Sequence, residues 1–168
     1  MKNKTSLTKD AILKDPYNYT LKEMKDCLGE EMATDFFESL YKNKPKIQNQ
    51  TVKIKEVFNG KDTLKYAFEL SDGYCIETVC IKRKTGITVC VSTMVGCPVG
   101  CIFCASGKNG FIRNLSSSEI VQQIVLLKEK VNRIVFMGMG EPLLNYGEVI
   151  KAIHILRDRD GLNFPTDG

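Results

Sequence analysis

Apolar and polar residues change period twice along the chain, dividing it into three stretches. Residues 1 to about 20 are polar, with turn signals at Asp15-Pro16 and Asn18, and little order is expected there. From Leu21 to Tyr41, Met24, Leu28, Met32, Phe36 and Leu40 recur every four residues. That is close enough to the helical period to draw one slowly drifting apolar stripe. Gly29 is placed to split the stretch into two short helices. From Thr51 the period falls to two: Leu64, Tyr66, Phe68 and Leu70 alternate with polar or small residues, the mark of a half-buried strand. Asn59-Gly60 predicts a hairpin joining it to a strand over Val52–Phe58. Ser71-Asp72-Gly73 and Lys84-Thr85-Gly86 bound a third strand, YCIETVCI, and lead into a fourth, ITVCVST. This is an antiparallel meander.

The third stretch mixes periods. Ser116 and Glu119 form a capping-box pattern that opens a helix, with Ile120, Ile124 and Leu127 as its buried stripe and Val121 and Val125 beside it. NRIVFMGMGEP reads as a short apolar strand breaking into a glycine turn. A last helix runs from about Asn145 to Arg157, with Tyr146, Val149, Ile150, Ile153 and Leu156 on one side. Strand, helix, strand, helix is the parallel order of α/β folds, as in the first βα units of a partial TIM-like barrel. In such barrels sites lie at the C-terminal strand ends, and both the cysteine-rich segment after the fourth strand and the Gly138–Glu141 turn leave strands there.

In the third strand Cys75, Glu77, Val79 and Ile81 share one face, so a carboxylate falls among apolar neighbours. Two readings stand open. A buried Glu77 would have a raised pKa and could hold or accept a proton near neutrality. Alternatively, both faces are mixed and Glu77 points at water or a nearby lysine.

Composition adds limits. With 43% hydrophobic and 26% charged residues, the chain has the balance of a soluble globular protein. No apolar run is long enough to span a bilayer, and the start, MKNKTSLTKDAILKD, lacks a signal-peptide core. Seven cysteines, an odd number, fit a disulfide framework poorly and fit reduced thiols at a cytoplasmic metal site better. The net charge of +4 is unevenly spread: six lysines face one acid, Glu56, between Lys42 and Lys61. Lys82, Arg83, Lys84, Lys108 and Arg113 add to this near the cysteines. Such a surface suits a polyanion like RNA, and equally suits a solvated lysine-rich face.

The densest chemistry lies in CVSTMVGCPVGCIFC, where Cys97, Cys101 and Cys104 follow a C-x-x-x-C-x-x-C spacing. Zinc takes four ligands, usually from two C-x-x-C pairs. No second pair exists, and the single histidine, His154, falls in a helical pattern far downstream. Free cysteines can also be small buried hydrophobes. A four-iron cluster prefers four thiolates, so three leave one iron open to another ligand.

That spacing resembles the radical S-adenosylmethionine (SAM) enzymes. The wider segments CVSTMVGCPVGCIFCASGKNGFIRNLSSSEIVQQIV and IVFMGMGEPLLNY resemble the RlmN/Cfr family of 23S rRNA adenine C2-methyltransferases, from about Asp72 to Leu156. PLLN is the pattern of the RlmN-like branch. The resemblance implies that Cys97, Cys101 and Cys104 hold a [4Fe–4S] cluster and that Gly140 and Glu141 bind SAM. It implies that Glu77 is a proton acceptor and that Cys90 resolves a covalent RNA–enzyme adduct by taking a proton and forming a disulfide. In the implied reaction one SAM methylates a cysteine near the C-terminus. A second gives a 5′-deoxyadenosyl radical that activates this methylthio group for addition to adenine C2.

The implied substrate is 23S rRNA and, in some members, tRNA. An electron donor such as flavodoxin or ferredoxin is implied too, with a cytoplasmic location. Family members are much longer, so the chain is expected to be the N-terminal part only: residues 1–70 as a shortened accessory region and 71–168 as the start of a truncated radical SAM domain. The methyl-carrying cysteine is not among the cysteines present. Two parallel strands cannot close a barrel, and their open edge calls for cover, for example by a complementing C-terminal chain. Two alternatives remain: a radical SAM enzyme with another substrate, and a non-catalytic iron–sulfur or RNA-binding remnant.

Overall fold

The computed structural model describes residues 7–42 and 50–165. Its centre is one five-stranded sheet. β1 (Val52–Asn59), β2 (Thr63–Leu70), β3 (Cys75–Arg83) and β4 (Gly86–Cys90) form the expected antiparallel meander. After β4 comes a small hairpin of β5 (Met94–Gly96) and β6 (Phe111–Asn114), followed by α4 (Ser117–Val125). β7 (Val131–Val135) then joins β4 in parallel, giving the order β1-β2-β3-β4-β7. α5 (Tyr146–Arg157) closes the described chain. The meander and the parallel βα unit therefore share one sheet, which continues unbroken across residues 70 and 71.

One face of this sheet is the core. Leu64, Tyr66, Phe68 and Leu70 of β2, Ile76, Thr78 and Cys80 of β3, and Val89 of β4 are buried there. α4 supplies Ile120, Val121 and Ile124, and α5 supplies Val149, Ala152, Ile155 and Leu156. Burying each large aliphatic side chain contributes roughly 1.5–3 kcal/mol. In α5 the buried stripe is rotated from the expected one, and Tyr146 is exposed.

The N-terminal region departs from expectation. Residues 7–20 are ordered: α1 (Lys9–Lys14) is capped by Thr8, and a 3₁₀ turn spans Pro16–Asn18. Ile12 and Tyr17 are fully buried. The polar turn residues that read as disorder are hydrogen-bond partners. Asn18 Oδ1 accepts from the Ser117 hydroxyl at 2.6 Å, and Asp15 accepts from that of Ser118. They dock the segment on the start of α4.

The helical stretch does split at Gly29, whose φ of +87° ends α2 (Leu21–Leu28) and starts α3 (Glu30–Tyr41). The break turns α3 so that Ala33, Phe37, Leu40 and Tyr41 are buried while Met32 is exposed. The drifting stripe is therefore two separate faces. Of the lysine-rich stretch, Lys44 and Lys46 lie outside the described residues. Lys42 and Lys55 are paired with Glu38 and Glu69.

Candidate active site at the parallel strand ends

β4 and β7 run side by side with Cys90 opposite Val135, and their pairing continues past the strand ends. The Val91 N–H donates to Val135 O at 2.9 Å, the Gly138 N–H to Val91 O at 3.0 Å and the Thr93 N–H to Met139 O at 2.8 Å. The segment entering the cysteine loop and the glycine turn are thus hydrogen-bonded to each other. At Gly138 a Cβ would lie 2.6 Å from Val91 C and O, and at Gly140 2.6 Å from the Met94 Cβ. Gly140 also has φ of +99°. The two glycines let the turn press against residues 91–94. Glu141 caps the next turn, its carboxylate accepting from the Leu143 N–H at 3.0 Å.

The cysteine loop hangs from the β5–β6 hairpin. The Cys97 N–H donates to Gly110 O at 3.2 Å and the Cys104 N–H to Cys101 O at 3.0 Å, while Gly107 lies against Gly100 and the Cys97 carbonyl. Cys101 is exposed and Cys97 and Cys104 are half-buried. Hydrogen bonds from the Ser106 hydroxyl, then from the Ser106 and Gly107 N–H groups, hold the Cys104 thiol below its ordinary pKa. Among the described residues, no three His, Cys, Asp or Glu side chains are gathered tightly enough to hold a metal ion. The three thiols share one loop without converging on a point.

Glu77 is not buried. The alternation is as expected, but Ile76, Thr78 and Cys80 face the core, leaving Glu77 on the face that carries no helix. Its carboxylate pairs with Lys65 Nζ at 2.9 Å. Of the two readings, the contact with a nearby lysine is the one found. Cys90 is opposite Val79, two residues from Glu77, so Glu77 and Cys90 share this helix-free face on adjacent strands. Burial raises the Cys90 thiol pKa, opposed by Arg83.

Sequence reasoning missed the buried polar groups beneath this rim. Gln122 and Gln123 of α4 are fully buried, as is Ser92. Arg113 is gripped by Glu119 through two bonds of 2.8 Å and by Asp72 at 2.7 Å. The available signal was two adjacent glutamines inside the apolar stripe of α4.

Residues 91–166 match the model of the radical SAM superfamily. That part of the chain, from the end of β4 through α5, is similar to radical SAM proteins. It is 61% identical over 109 residues to a probable RNA methyltransferase from Rhodopseudomonas palustris (strain BisB5), covering 65% of this chain and 30% of that protein. It is 50% identical over 121 residues to a probable dual-specificity RNA methyltransferase RlmN from Pseudothermotoga lettingae, covering 70% and 35%. Its fold matches the crystal structure of a radical SAM methyltransferase from Sphaerobacter thermophilus with a TM-score of 0.80 and 31% identity, over 88% of this chain and 53% of that one. The chain thus spans about a third of the length of these curated relatives.

The match to that superfamily implies a [4Fe–4S] cluster and SAM. The donor chemistry fits: three thiols lie on one short loop, and one of them is biased toward the thiolate that ligates iron. Among the described residues no helix is long and apolar enough to cross a membrane.

Proposed function

We propose that this chain is the cofactor-holding part of a cytoplasmic radical SAM methyltransferase acting on C2 of adenine in 23S rRNA, and in tRNA. Cys97, Cys101 and Cys104 hold the cluster, and Gly140 and Glu141 bind SAM. When bound, the cluster supplies the electron that cleaves the SAM sulfonium. Glu77 accepts a proton. Cys90 would resolve the covalent RNA adduct by bonding to the sulfur of the methyl-carrying cysteine as that cysteine's bond to the transferred carbon breaks, the electron pair passing to the carbon, which takes up a proton. Residues 1–70 serve as an accessory region to the radical SAM part, 71–168. A flavodoxin- or ferredoxin-like donor supplies electrons. A complementing C-terminal chain or segment brings the methyl-carrying cysteine.

The observation that supports this reading is that the four segments proposed for these roles lie toward one end of one sheet. Residues 91–94, which lead into the cysteine loop, are bonded to the glycine turn, while Glu77 and Cys90 project from the adjoining helix-free face. Such a transfer requires an acceptor, a thiol and a cofactor site on one surface.

The test is anaerobic reconstitution with iron and sulfide, followed by SAM, a reductant and a 23S rRNA fragment, with a C-terminal fragment of a relative added in trans. The expected product is C2-methyladenine, detected by mass spectrometry of nucleosides. Cluster uptake without SAM cleavage would show a non-catalytic remnant. SAM cleavage with the adenine unchanged would point to another substrate.

A further inference from the structure

Beneath the rim lies a polar junction that no part of the proposed chemistry uses directly. Ser92 and Gln123 are both fully buried, and a buried polar group costs free energy unless its hydrogen bonds are made. Here they all are. The Gln123 amide oxygen accepts from the Ser92 N–H at 2.8 Å and from the Thr78 hydroxyl at 2.7 Å. Its amide nitrogen donates to Ser92 O at 2.9 Å and Glu119 O at 3.3 Å. The Ser92 hydroxyl donates to the backbone carbonyl of Glu77 and accepts from the Met139 N–H at 2.9 Å.

Ser92 links three of the proposed segments, and Gln123 holds the Ser92 backbone in place. Glu77 is the proposed acceptor, Met139 precedes Gly140 and Glu141, and Ser92 itself leads into the cysteine loop. We infer that Ser92 and Gln123 are positioning residues that set the glycine turn and the Glu77 backbone in fixed register against the cysteine loop. The inference rests on the proposal that Gly140 and Glu141 bind SAM. Supporting groups of this kind hold contacting groups in productive geometry without touching the reacting atoms.

The adjacent glutamine supplies an internal control. Gln122 is equally buried, but its amide oxygen accepts from the Thr51 and Val52 N–H groups at 3.1 and 3.3 Å. Its nitrogen donates to the Thr51 and Ser118 hydroxyls, both at 2.8 Å. It ties α4 to the start of β1, three strands across the sheet from β4 and outside the junction. Gln122→Met and Gln123→Met therefore remove the same buried amide from the same helix, but only the second touches the junction.

The experiment compares the 168-residue chain with Ser92→Ala, Gln123→Met and Gln122→Met. Amide hydrogen exchange is followed without added iron, and SAM affinity is measured by equilibrium dialysis after anaerobic reconstitution. Ser92→Ala and Gln123→Met should speed exchange at residues 138–141 about tenfold or more. They should weaken SAM binding about ten- to a hundredfold at unchanged iron content. Gln122→Met should do neither, whatever it costs in global stability. Equal SAM affinity in wild type and Ser92→Ala overturns the inference alone, as does equal loosening of 138–141 by Gln122→Met. A reconstituted wild-type chain that binds no SAM overturns the SAM assignment of Gly140 and Glu141, and the inference with it. If Gln123→Met fails to fold, Ser92→Ala, which removes one hydroxyl, still decides.

Discussion

The contact between the glycine turn and residues 91–94 makes a sharp prediction at Gly138. In Gly138→Ala the new methyl would lie 2.6 Å from Val91 C and O and 2.7 Å from Ser92 N. All three are backbone atoms, so no side chain can rotate away. Carbon atoms sit comfortably at about 3.5–4.0 Å, so the two segments must part by about 1 Å. Overpacking of this kind costs about 1–3 kcal/mol. Straining the Gly138 N–H bond to Val91 O, now 3.0 Å, adds about 1 kcal/mol. With a urea m-value of about 2 kcal/mol/M, a total of about 2–4 kcal/mol lowers the unfolding midpoint by about 1–2 M. Gly147→Ala is the opposite case: it lies in α5 with nothing within 4 Å of its would-be Cβ. There alanine should stabilise by about 0.5–1 kcal/mol. Urea unfolding followed by circular dichroism reads both. A Gly138→Ala midpoint equal to wild type would refute the packing account of this turn.

Other outcomes follow from single contacts. Among the described residues the buried Tyr17 and Tyr41 hydroxyls have no hydrogen-bond partner; Tyr41→Phe should therefore leave stability unchanged or raise it by about 1 kcal/mol, read as a thermal midpoint. Iodoacetamide labelling near pH 7, mapped by peptide mass spectrometry, should modify Cys104 well before Cys90. It should spare Cys80, which burial pushes up to about 12. Ser106→Ala should move the labelling of Cys104 to higher pH. The Arg113 hydrogen bond holds the Asp72 carboxyl below its ordinary pKa, so that pair stabilises above the unfolded value and loses its effect as pH falls through the folded one. Asp72→Asn should be less stable than wild type at pH 7, with the gap closing below the ordinary carboxylate range in acid denaturation.

The sequence exposed those features whose signal is local. The Ser116–Glu119 capping box is formed at the start of α4, Gly29 breaks the helix, and the alternation in β2 marks its buried face. The parallel pairing of β4 with β7 also followed from element order. Other features depend on residues far away in the chain. Asp15 and Asn18 read as turn formers because their partners, Ser118 and Ser117, lie 103 and 99 residues on. Period two puts Glu77 with Val79 but does not say which face the helices cover, and they cover the other one. β5 and β6 have three and four residues, too few for a period to be counted. At the site, the cysteine spacing and the glycine turn were legible. What the glycines pack against was not, since Gly138 faces the backbone of Val91 and Ser92 and Gly140 the side chains of Thr93 and Met94.

The central claim is that Cys97, Cys101 and Cys104 together hold one iron–sulfur cube. Metal and sulfide analysis after anaerobic reconstitution tests it most directly, on wild type and on each single Cys→Ala variant. About four iron and four sulfide per chain in wild type, lost in all three variants, is the predicted result. Zinc bound in place of iron, or iron retained when any one of the three thiols is removed, would contradict it.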